Sequence, residues 1–518
     1  MMQRRGRARF LAWSAVAGVV SAAVFLAVAE LAALLVARGS SPLLAVGSFV
    51  IDVVPRPLKE FAITAFGEFD KPALLIGLGL AVVVASAVAG LLQFVRPPLG
   101  VVALGIAGAL ALAAIVTRAG AGPFAWVPPV VGAIAGSVLL VILIRRLRAW
   151  ADLSADEPEA DRGLDRRGFL RVLTIAGASA VLVGVGARIA DAATTSITAI
   201  RRTLRLPQPR RVVDVPAGAE LDIPGLSPLY TPNADFYRVD TALTVPTIDP
   251  AGWRLTIDGL VDRRVELTFD QLLEMGLDEY SITLTCVSNE VGGELLGTAK
   301  WLGIPVRDVL RLAGPAGEAD MVLSRSVDGF TASTPLDALT DPDRDAILAV
   351  AMNGEPLPLE HGFPVRMVVP GLYGYVSATK WLTELKVTTF AADEAYWTPR
   401  GYSAEAPIKF SSRLDTPRTG QAVEAGRVPL AGVAWAQTVG IDRVEVKIDD
   451  DDWRPATLST PVNDDTWVQW VLEWDAAPGT HNVTVRAVDR AGNLQIEERA
   501  PIAPDGSTGW QRTLVRVT

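Results

Sequence analysis

The chain opens with apolar runs separated by short charged or proline-bearing breaks. The first spans Phe10 to Ala29 and continues past Glu30 to Ala37; others follow at Pro72–Val95, Pro97–Thr117 and Ala119–Ile144. Crossing about 30 Å of hydrocarbon takes about 20 residues, so these four runs predict transmembrane helices over residues 1–150. A fifth run, Val172–Ala187, is shorter and lies between Arg171 and Arg188. By length alone it is equally a buried core helix. Ser40–Lys71 mixes apolar residues with Pro55, Pro57 and Lys59 and reads as an exterior loop near the membrane surface.

The period changes after residue 200. Arg201–Pro228 is proline-rich without a clear repeat and reads as a linker. Trp253–Gly259 alternates as a strand closing on a turn, and Asp270–Met275 follows as a short helix capped by Asp270. Ser281–Cys286 is a strand running into the glycine-bearing loop Val287–Gly293. Pro305–Ala313 is predicted as a helix, and Ala346–Ala351 and Val365–Val369 as strands. After Gly401 short alternating runs such as Arg443–Ile448 and Asn482–Val488 are separated by turn clusters such as Asp489–Asn493. Trp453, Trp467, Trp470 and Trp474 offer core volume to this region. Evenly spaced strands without a helix predict an immunoglobulin-like β-sandwich over 401–518.

Composition agrees with a membrane part joined to a folded part. Half of the 518 residues are apolar and 20% are charged, and mean hydropathy is +0.32. Residues 1–202 carry 20 Lys+Arg against 12 Asp+Glu, whereas residues 203–518 carry 28 against 45. An acidic larger half argues against a nucleic-acid binder, and the apolar content excludes intrinsic disorder. One cysteine excludes an intrachain disulfide, a Cys-rich zinc or iron–sulfur site and a Cys-x-x-Cys-His haem attachment. The two histidines, His361 and His481, lie outside the apolar runs, which excludes paired-histidine haem ligation there. His481, in a turn of the sandwich, reads as structural. Glu30, inside the first run, is either a packing residue of an anchor bundle or part of a transport or quinone site.

Charge also orients the chain. Asp165-Arg166-Arg167-Gly168-Phe169-Leu170-Arg171, ahead of the fifth run, resembles a twin-arginine export signal. Arg4, Arg5, Arg7 and Arg9 mark the N-terminus as cytoplasmic. Counting crossings from there returns Arg145, Arg146 and Arg148, then Arg166, Arg167 and Arg171, to the inside. A fifth crossing delivers everything after about Ala190 to the extracytoplasmic side. Ala190-Asp191-Ala192 also reads as a small-residue cleavage site, which leaves retention of the fifth helix open.

Cys286, at a strand end, has three readings: a small buried hydrophobe, a nucleophile with His361 as its base, or a thiolate metal ligand. Its surroundings narrow them. Leu284–Gly293 followed by Trp301-Leu302-Gly303-Ile304-Pro305 resembles the core of the sulfite oxidase family of molybdenum enzymes. Met352–Pro358 with His361–Arg366, and Pro370–Tyr375 through Ala378–Leu382, resemble later motifs of that family, in its order. Upstream, Thr231-Pro232-Asn233 with Phe236-Tyr237 is similar to the start of its cofactor domain.

The resemblance covers about residues 225–518 and implies a mononuclear molybdenum held by a pterin dithiolene, with Cys286 as the protein thiolate ligand. It further implies that His361, Arg366 and Lys380, with the main chain of Ser377, Ala378 and Thr379, bind the pterin and its phosphate. Ser326 and Tyr237-Arg238-Val239-Asp240 are expected to line the pterin. A soft thiolate suits such a metal, and an anionic phosphate needs cations and N–H donors.

Three positions depart from the family. Sulfite oxidases carry Arg-Asn-His after the paired aromatics, where this chain reads Arg238-Val239-Asp240-Thr241. A tyrosine close to molybdenum in those enzymes falls at Phe330. An arginine from a glycine-rich turn of their sandwich has no counterpart in Ala436–Asp442, with Arg443 as the nearest stand-in. An oxyanion site is a cluster of cations, and this one is short of them.

The expected architecture is therefore multi-domain. All-α transmembrane helices over 1–150 precede a twin-arginine-like segment and fifth helix over 151–200 and a linker over 201–228. An α+β sulfite-oxidase-type molybdopterin domain over 229–400 and an immunoglobulin-like dimerisation domain over 401–518 complete the chain. The expected activity is oxygen-atom transfer on a small substrate, with Cys286, Arg238 and Phe330 at the reacting centre and Arg443 as a candidate at its mouth. Partners are a separate electron carrier, the membrane and a second copy of the chain, without nucleic acid. The alternatives are an S- or N-oxide reductase and a non-catalytic membrane-anchored binding protein.

Overall fold

The computed structural model describes residues 2–36, 46, 70–116, 124–156, 159–190, 193–242 and 244–518. They fall into two units, Met1–Ser196 with Thr241–Thr244, and Ile197–Asp240 with Val245–Thr518.

The first unit is helical: α1 (Met2–Val36), α2 (Asp70–Val95), α3 (Leu99–Val116), α4 (Val127–Asp156) and α5 (Glu159–Ala190). Ala8–Ala33, Ile76–Val95, Leu99–Val116 and Val127–Ala151 are long and apolar enough to cross a membrane. Ile76, Leu80, Ile106 and Leu110 on these helices are exposed, as lipid-facing side chains would be. Helices α1 and α2 meet backbone to backbone. A Cβ on Gly18 would overlap the Ser86 carbonyl, and one on Gly90 the Ser14 carbonyl, so only glycine permits the approach.

The fifth run is helical but not among the four spans. Phe169 and Leu173 on α5 are buried with Phe10 of α1 and Leu140, Leu143, Leu147 and Trp150 of α4. The Phe169 ring lies edge-on to Trp13 at 5.9 Å. The expectation for Ser40–Lys71 falls almost wholly outside the described residues, as does much of Ala190–Ala192.

The second unit begins with Ile197 in α6 (Ala193–Thr203), whose Ile197 and Ile200 enter its core. Residues 204–228 hold no regular element, yet they are not a free linker. Arg210 N–H donates to Leu277 O (2.7 Å), Leu221 N–H to Gln469 Oε1 (2.6 Å) and Ser227 N–H to Asp415 Oδ2 (3.0 Å). This strap thus ties together residues far apart in the chain.

Ten strands follow: β1 (Arg254–Gly259), β2 (Val265–Thr268), β3 (Asp278–Thr285), β4 (Leu296–Pro305), β5 (Met321–Ser326), β6 (Thr331–Pro335), β7 (Ile347–Met352), β8 (Glu355–Pro356), β9 (Arg366–Val368) and β10 (Leu382–Thr388). Interspersed are the short helices α7 (Phe269–Glu274), α8 (Val306–Arg311), α9 (Leu336–Thr340) and α10 (Gly374–Ser377). They build one sheet ordered β2-β1-β10-β5-β6 and another ordered β3-β4-β7-β8, with β9 paired to β7. Helix α7 is capped by Thr268 rather than Asp270. Thr268 Oγ1 accepts from Gln271 N, and the Gln271 side chain accepts from Thr268 N, which satisfies two orphan donors at once.

The remaining strands are β11 (Ser411–Thr416), β12 (Ala422–Val423), β13 (Gly426–Trp435), β14 (Ile441–Ile448), β15 (Arg454–Pro455), β16 (Thr457–Leu458), β17 (Val468–Ala476), β18 (Gly479–Asp489) and β19 (Gln511–Val517). They form sheets β11-β13-β17-β16 and β12-β19-β18-β14-β15. Both sheets contribute to one core, with Leu430, Val468 and Trp470 from the first and Val446, Val485 and Val515 from the second. The alternate positions Val433 and Trp435 of β13, with Trp467, turn the other way and pack on Leu229 and Leu296. Trp453 is not a core residue. It is half-buried at the surface, where the Arg486 guanidinium lies 3.9 Å from its ring centre.

This outward face explains β3. As an edge strand it should leave a row of unpaired backbone groups, yet nearly every position is buried. The sandwich and the strap supply the missing partners. Thr283 N–H donates to Asp465 O (2.9 Å), Gln437 Nε2 donates to Thr283 O (2.6 Å), and Glu279 N–H donates to Arg211 O (2.9 Å).

Candidate active site

Strand β3 delivers Cys286 to the mouth of a ten-residue loop that ends at Leu295. Cys286 N–H donates to Leu295 O (2.9 Å), and Asn289 N–H donates to Cys286 O (3.0 Å). Asn289 closes the loop from inside, its Oδ1 accepting from Leu295 N (2.9 Å). Cys286 Sγ is buried and accepts from Ser288 N–H at 3.4 Å. Burial pushes the thiol pKa up, against the Ser288 N–H and the positive charge of Lys380. Left to itself the group is a neutral thiol; a bound metal would deprotonate it.

Three basic side chains and a carboxylate form the floor. Arg366, at the start of β9, is buried with its guanidinium 5.1 Å from the Trp301 ring centre. Its Nη1 donates to His361 O (3.2 Å), while its Nε is buried with no partner among the described residues. Burial lowers its pKa to about 10. His361 Nε2 pairs with Asn233 O (3.1 Å), and its ring stands edge-on to Phe236 at 5.6 Å. Burial and then the Arg366 charge lower His361 to about 4, so it is neutral at physiological pH. Lys380 Nζ donates to Asp240 Oδ2 (2.7 Å) and Glu360 O (3.1 Å). Burial takes its pKa to about 8 although Asp240 pulls the other way. Arg238 Nε donates to the same Asp240 oxygen (2.8 Å), so one carboxylate is shared by two cations.

Gly362 permits this density. Its φ is +109°, and a Cβ there would lie 3.0 Å from Arg366 Cβ and 3.1 Å from Lys380 Cα. Tyr237 stacks on Phe236 at 5.3 Å. Burial, and after it the neighbouring Cys286, raise its phenol pKa, so the hydroxyl keeps its proton.

The other expected residues take more modest places. Ser326 ends β5 in a tight turn, with Ser326 N–H donating to Phe330 O (2.9 Å). Val327 N–H bonds Trp381 O (3.0 Å), which brings this turn beside Lys380. The Phe330 ring is engaged with Tyr396 at 5.8 Å. The Ser377 hydroxyl is committed to Leu372 O and Tyr373 O, and Thr379 Oγ1 to Ser324 Oγ (2.7 Å). With Ala378 they have main-chain groups rather than hydroxyls to offer. Val239 is exposed. Arg443 lies on the exposed face of β14, held by Asp442 (3.0 Å) and Glu445 (3.2 Å).

The sequence reading assigned no role to the residues that hold this floor in place. Asn353, at φ +51°, donates to Thr231 O (2.9 Å) and Asn233 Oδ1 (2.9 Å) and accepts from Lys300 N (3.0 Å). Its Asn-Gly pair, a turn signal with tolerance for the left-handed region, was the available clue. The arrangement as a whole is a buried thiol next to a buried cation set, one of whose donors lacks a partner. Such a donor is costly unless an anion meets it, and a phosphate does so with the charge-assisted bonds that Arg forms best. The residues therefore fit a phosphate-bearing, thiolate-ligated metal cofactor.

Comparison with known proteins follows the same line. Residues 242–397 match the family model described as oxidoreductase molybdopterin binding domain. The mitochondrial sulfite oxidase of Homo sapiens is 32% identical over 341 residues, covering 56% of this chain and 62% of that protein. NADH nitrate reductase 2 of Phaseolus vulgaris is 28% identical over 317 residues, covering 49% and 35% respectively. The sulfane dehydrogenase SoxCD structure from Paracoccus pantotrophus aligns with 22% identity and a TM-score of 0.49, covering 55% of this chain and 81% of that one. The chain spans 62% or less of the length of the first mammalian relatives it matches.

Proposed function

We propose that this chain is a molybdopterin oxidoreductase of the sulfite oxidase family and carries out two-electron oxygen-atom transfer on a small substrate, from a membrane anchor and on the extracytoplasmic side. The observation that carries the reading is the buried Cys286 thiol within reach of the Lys380 charge, in a site where the buried Nε of Arg366 has no partner among the described residues.

The molybdenum pterin, when bound, supplies the oxygen-transfer and electron-storing chemistry. The chain's own residues do the rest. Cys286 would hold the metal as a thiolate. Arg366 and Lys380 receive the phosphate, and neutral His361 holds the Asn233 segment against Arg366 without adding charge. Tyr237 to Asp240, Ser326 and the main chain of Ser377 to Thr379 line the pterin. Arg238 and Phe330 shape the mouth. The orientation reading, with a cytoplasmic N-terminus and α5 as a fifth crossing, rests on the arginines that flank the helices. The sandwich is read as immunoglobulin-like and as the contact between two copies. Electrons leave or arrive through a separate carrier.

One observation favours an S- or N-oxide reductase as a second reading. Arg238 and Lys380 share Asp240, Arg443 is held at the surface, and Phe330 has no hydroxyl. Among the described residues, these cations are already paired with carboxylates rather than offered to an oxyanion such as sulfite.

The test is molybdenum per chain in purified protein, with Cys286→Ser alongside, followed by turnover of sulfite against sulfoxides and N-oxides. Close to one metal per chain, lost or inert in the variant, supports the reading. Metal-free wild-type protein from a host that makes the cofactor overturns it.

A further inference from the structure

The loop from Cys286 to Leu295 is closed by internal bonds, and the sandwich adds further restraints from outside. Arg413 on β11 is the centre of them. Its side chain is buried, and its guanidinium forks in three directions. Nε donates to Asp415 Oδ1 (2.5 Å), Nη2 to Ser227 Oγ (2.8 Å) and Nη1 to Gly293 O (2.8 Å) within the loop. Asp415 is buried as well and takes Ser227 N–H on its other oxygen (3.0 Å), so the ion pair is fixed at both ends. On the far side of the loop Ser507 Oγ donates to Asn289 O (2.7 Å). Between them Gly292, at φ +82°, lies against the Gln511 side chain, where a Cβ would come within 3.1 Å. Gln511 is itself held by Leu414 N–H (2.8 Å).

From this geometry we infer that Arg413 is a positioning residue for Cys286: through Gly293 it holds the thiol-bearing loop closed, and the sandwich thereby sets how freely that thiol can move and react. The inference deepens the molybdenum reading and rests on it for its consequence in catalysis. Its physical content, restraint of the loop, does not need the metal. A buried arginine that donates to a carbonyl in three-centred company is hard to replace. Lysine keeps the charge but not the planar fork, and methionine keeps only the volume.

Cys286 is the only cysteine of the chain, so its reactivity can be followed without ambiguity. The experiment is the alkylation rate of Cys286 by iodoacetamide in full-length, metal-free protein, made in a host lacking the cofactor. Wild type, Arg413→Met, Arg413→Lys and Ser507→Ala are compared. Arg486→Met, which removes an arginine stacked on Trp453 elsewhere in the sandwich, is the control for general loosening. The expected result is a rise of about tenfold or more in Arg413→Met, the scale of one lost charge-assisted bond. A smaller rise is expected in Arg413→Lys and Ser507→Ala, and none in Arg486→Met. An unchanged rate in Arg413→Met overturns the inference, as does an equal rise in Arg486→Met. If Arg413→Met does not fold, Arg413→Lys decides in its place, an unchanged rate there overturning the inference. Failure of the molybdenum reading would show separately, as metal-free wild-type protein from a cofactor-making host, and would leave these rates standing.

Discussion

Replacing Arg366 by methionine sets two energies of opposite sign against each other. Burial draws the guanidinium pKa from 12.5 to about 10, which at 1.36 kcal/mol per unit makes the buried charge cost about 3 kcal/mol. Removing the charge recovers that amount. It also forfeits the Nη1 bond to His361 O at 3.2 Å, about 1.5–3 kcal/mol for a charged donor, and the stacking on Trp301, about 1 kcal/mol. The two sides nearly cancel, so metal-free Arg366→Met should melt within about 5 °C of metal-free wild type. The loaded protein should behave otherwise. Nε has no partner among the described residues, and each charge-assisted bond to a phosphate would add about 2 kcal/mol, roughly 30-fold in affinity. The assay is paired: thermal melting of metal-free protein, and molybdenum with pterin per chain after purification. Neutral stability with depleted cofactor is the expected outcome. A metal-free variant that collapses, or one that retains the cofactor as wild type does, refutes the reasoning.

Two further predictions follow from the same floor. His361 has its pKa lowered from 6.5 to about 4, so the folded state binds fewer protons than the unfolded one between those values. Stability is therefore lost as pH falls from about 6.5 towards 4, by about 2 kcal/mol at pH 5; His361→Gln should flatten this part of the melting-temperature profile, and an unaltered acid limb would contradict it. Gly362→Ala places a Cβ 3.0 Å from Arg366 Cβ at φ +109°, and should lower stability by at least about 2 kcal/mol with loss of cofactor; a melting temperature equal to wild type would show that the backbone is free to move there.

Much of this molecule could be read locally. The four long apolar runs, β1, β3 and the β14 and β18 alternations are patterns of adjacent residues, and the chain follows them. Trp453 misled because tryptophan is equally at home under an arginine at the surface, and periodicity does not distinguish the two. The cap of α7 was misplaced by two residues because Thr268 and Asp270 are both good caps; only Thr268 has glutamine three residues on to close the box. The strap over 204–228 looked like a tether because its bonds go to partners with no sequence pattern of their own. Arg413 was invisible for a related reason: an arginine in an alternating strand normally faces water, and nothing near it announces Gly293. The set proposed to hold the phosphate was legible only through resemblance, since His361, Arg366 and Lys380 have no spacing that elementary chemistry requires.

The cover over β3 carries a consequence for the order in which this protein comes into being. Thr283 waits for Trp467, 184 positions later, Gly293 for Arg413, 120 later, and Asn289 for Ser507, 218 later. Synthesis runs from the N-terminus, so the cysteine emerges long before the groups that will hold it. Loops of that length close slowly. For that interval β3 is an open edge, and the thiol-bearing loop lacks the bonds that restrain it in the finished molecule. The hydroxyl that restrains Asn289 is thus among the last groups to be made.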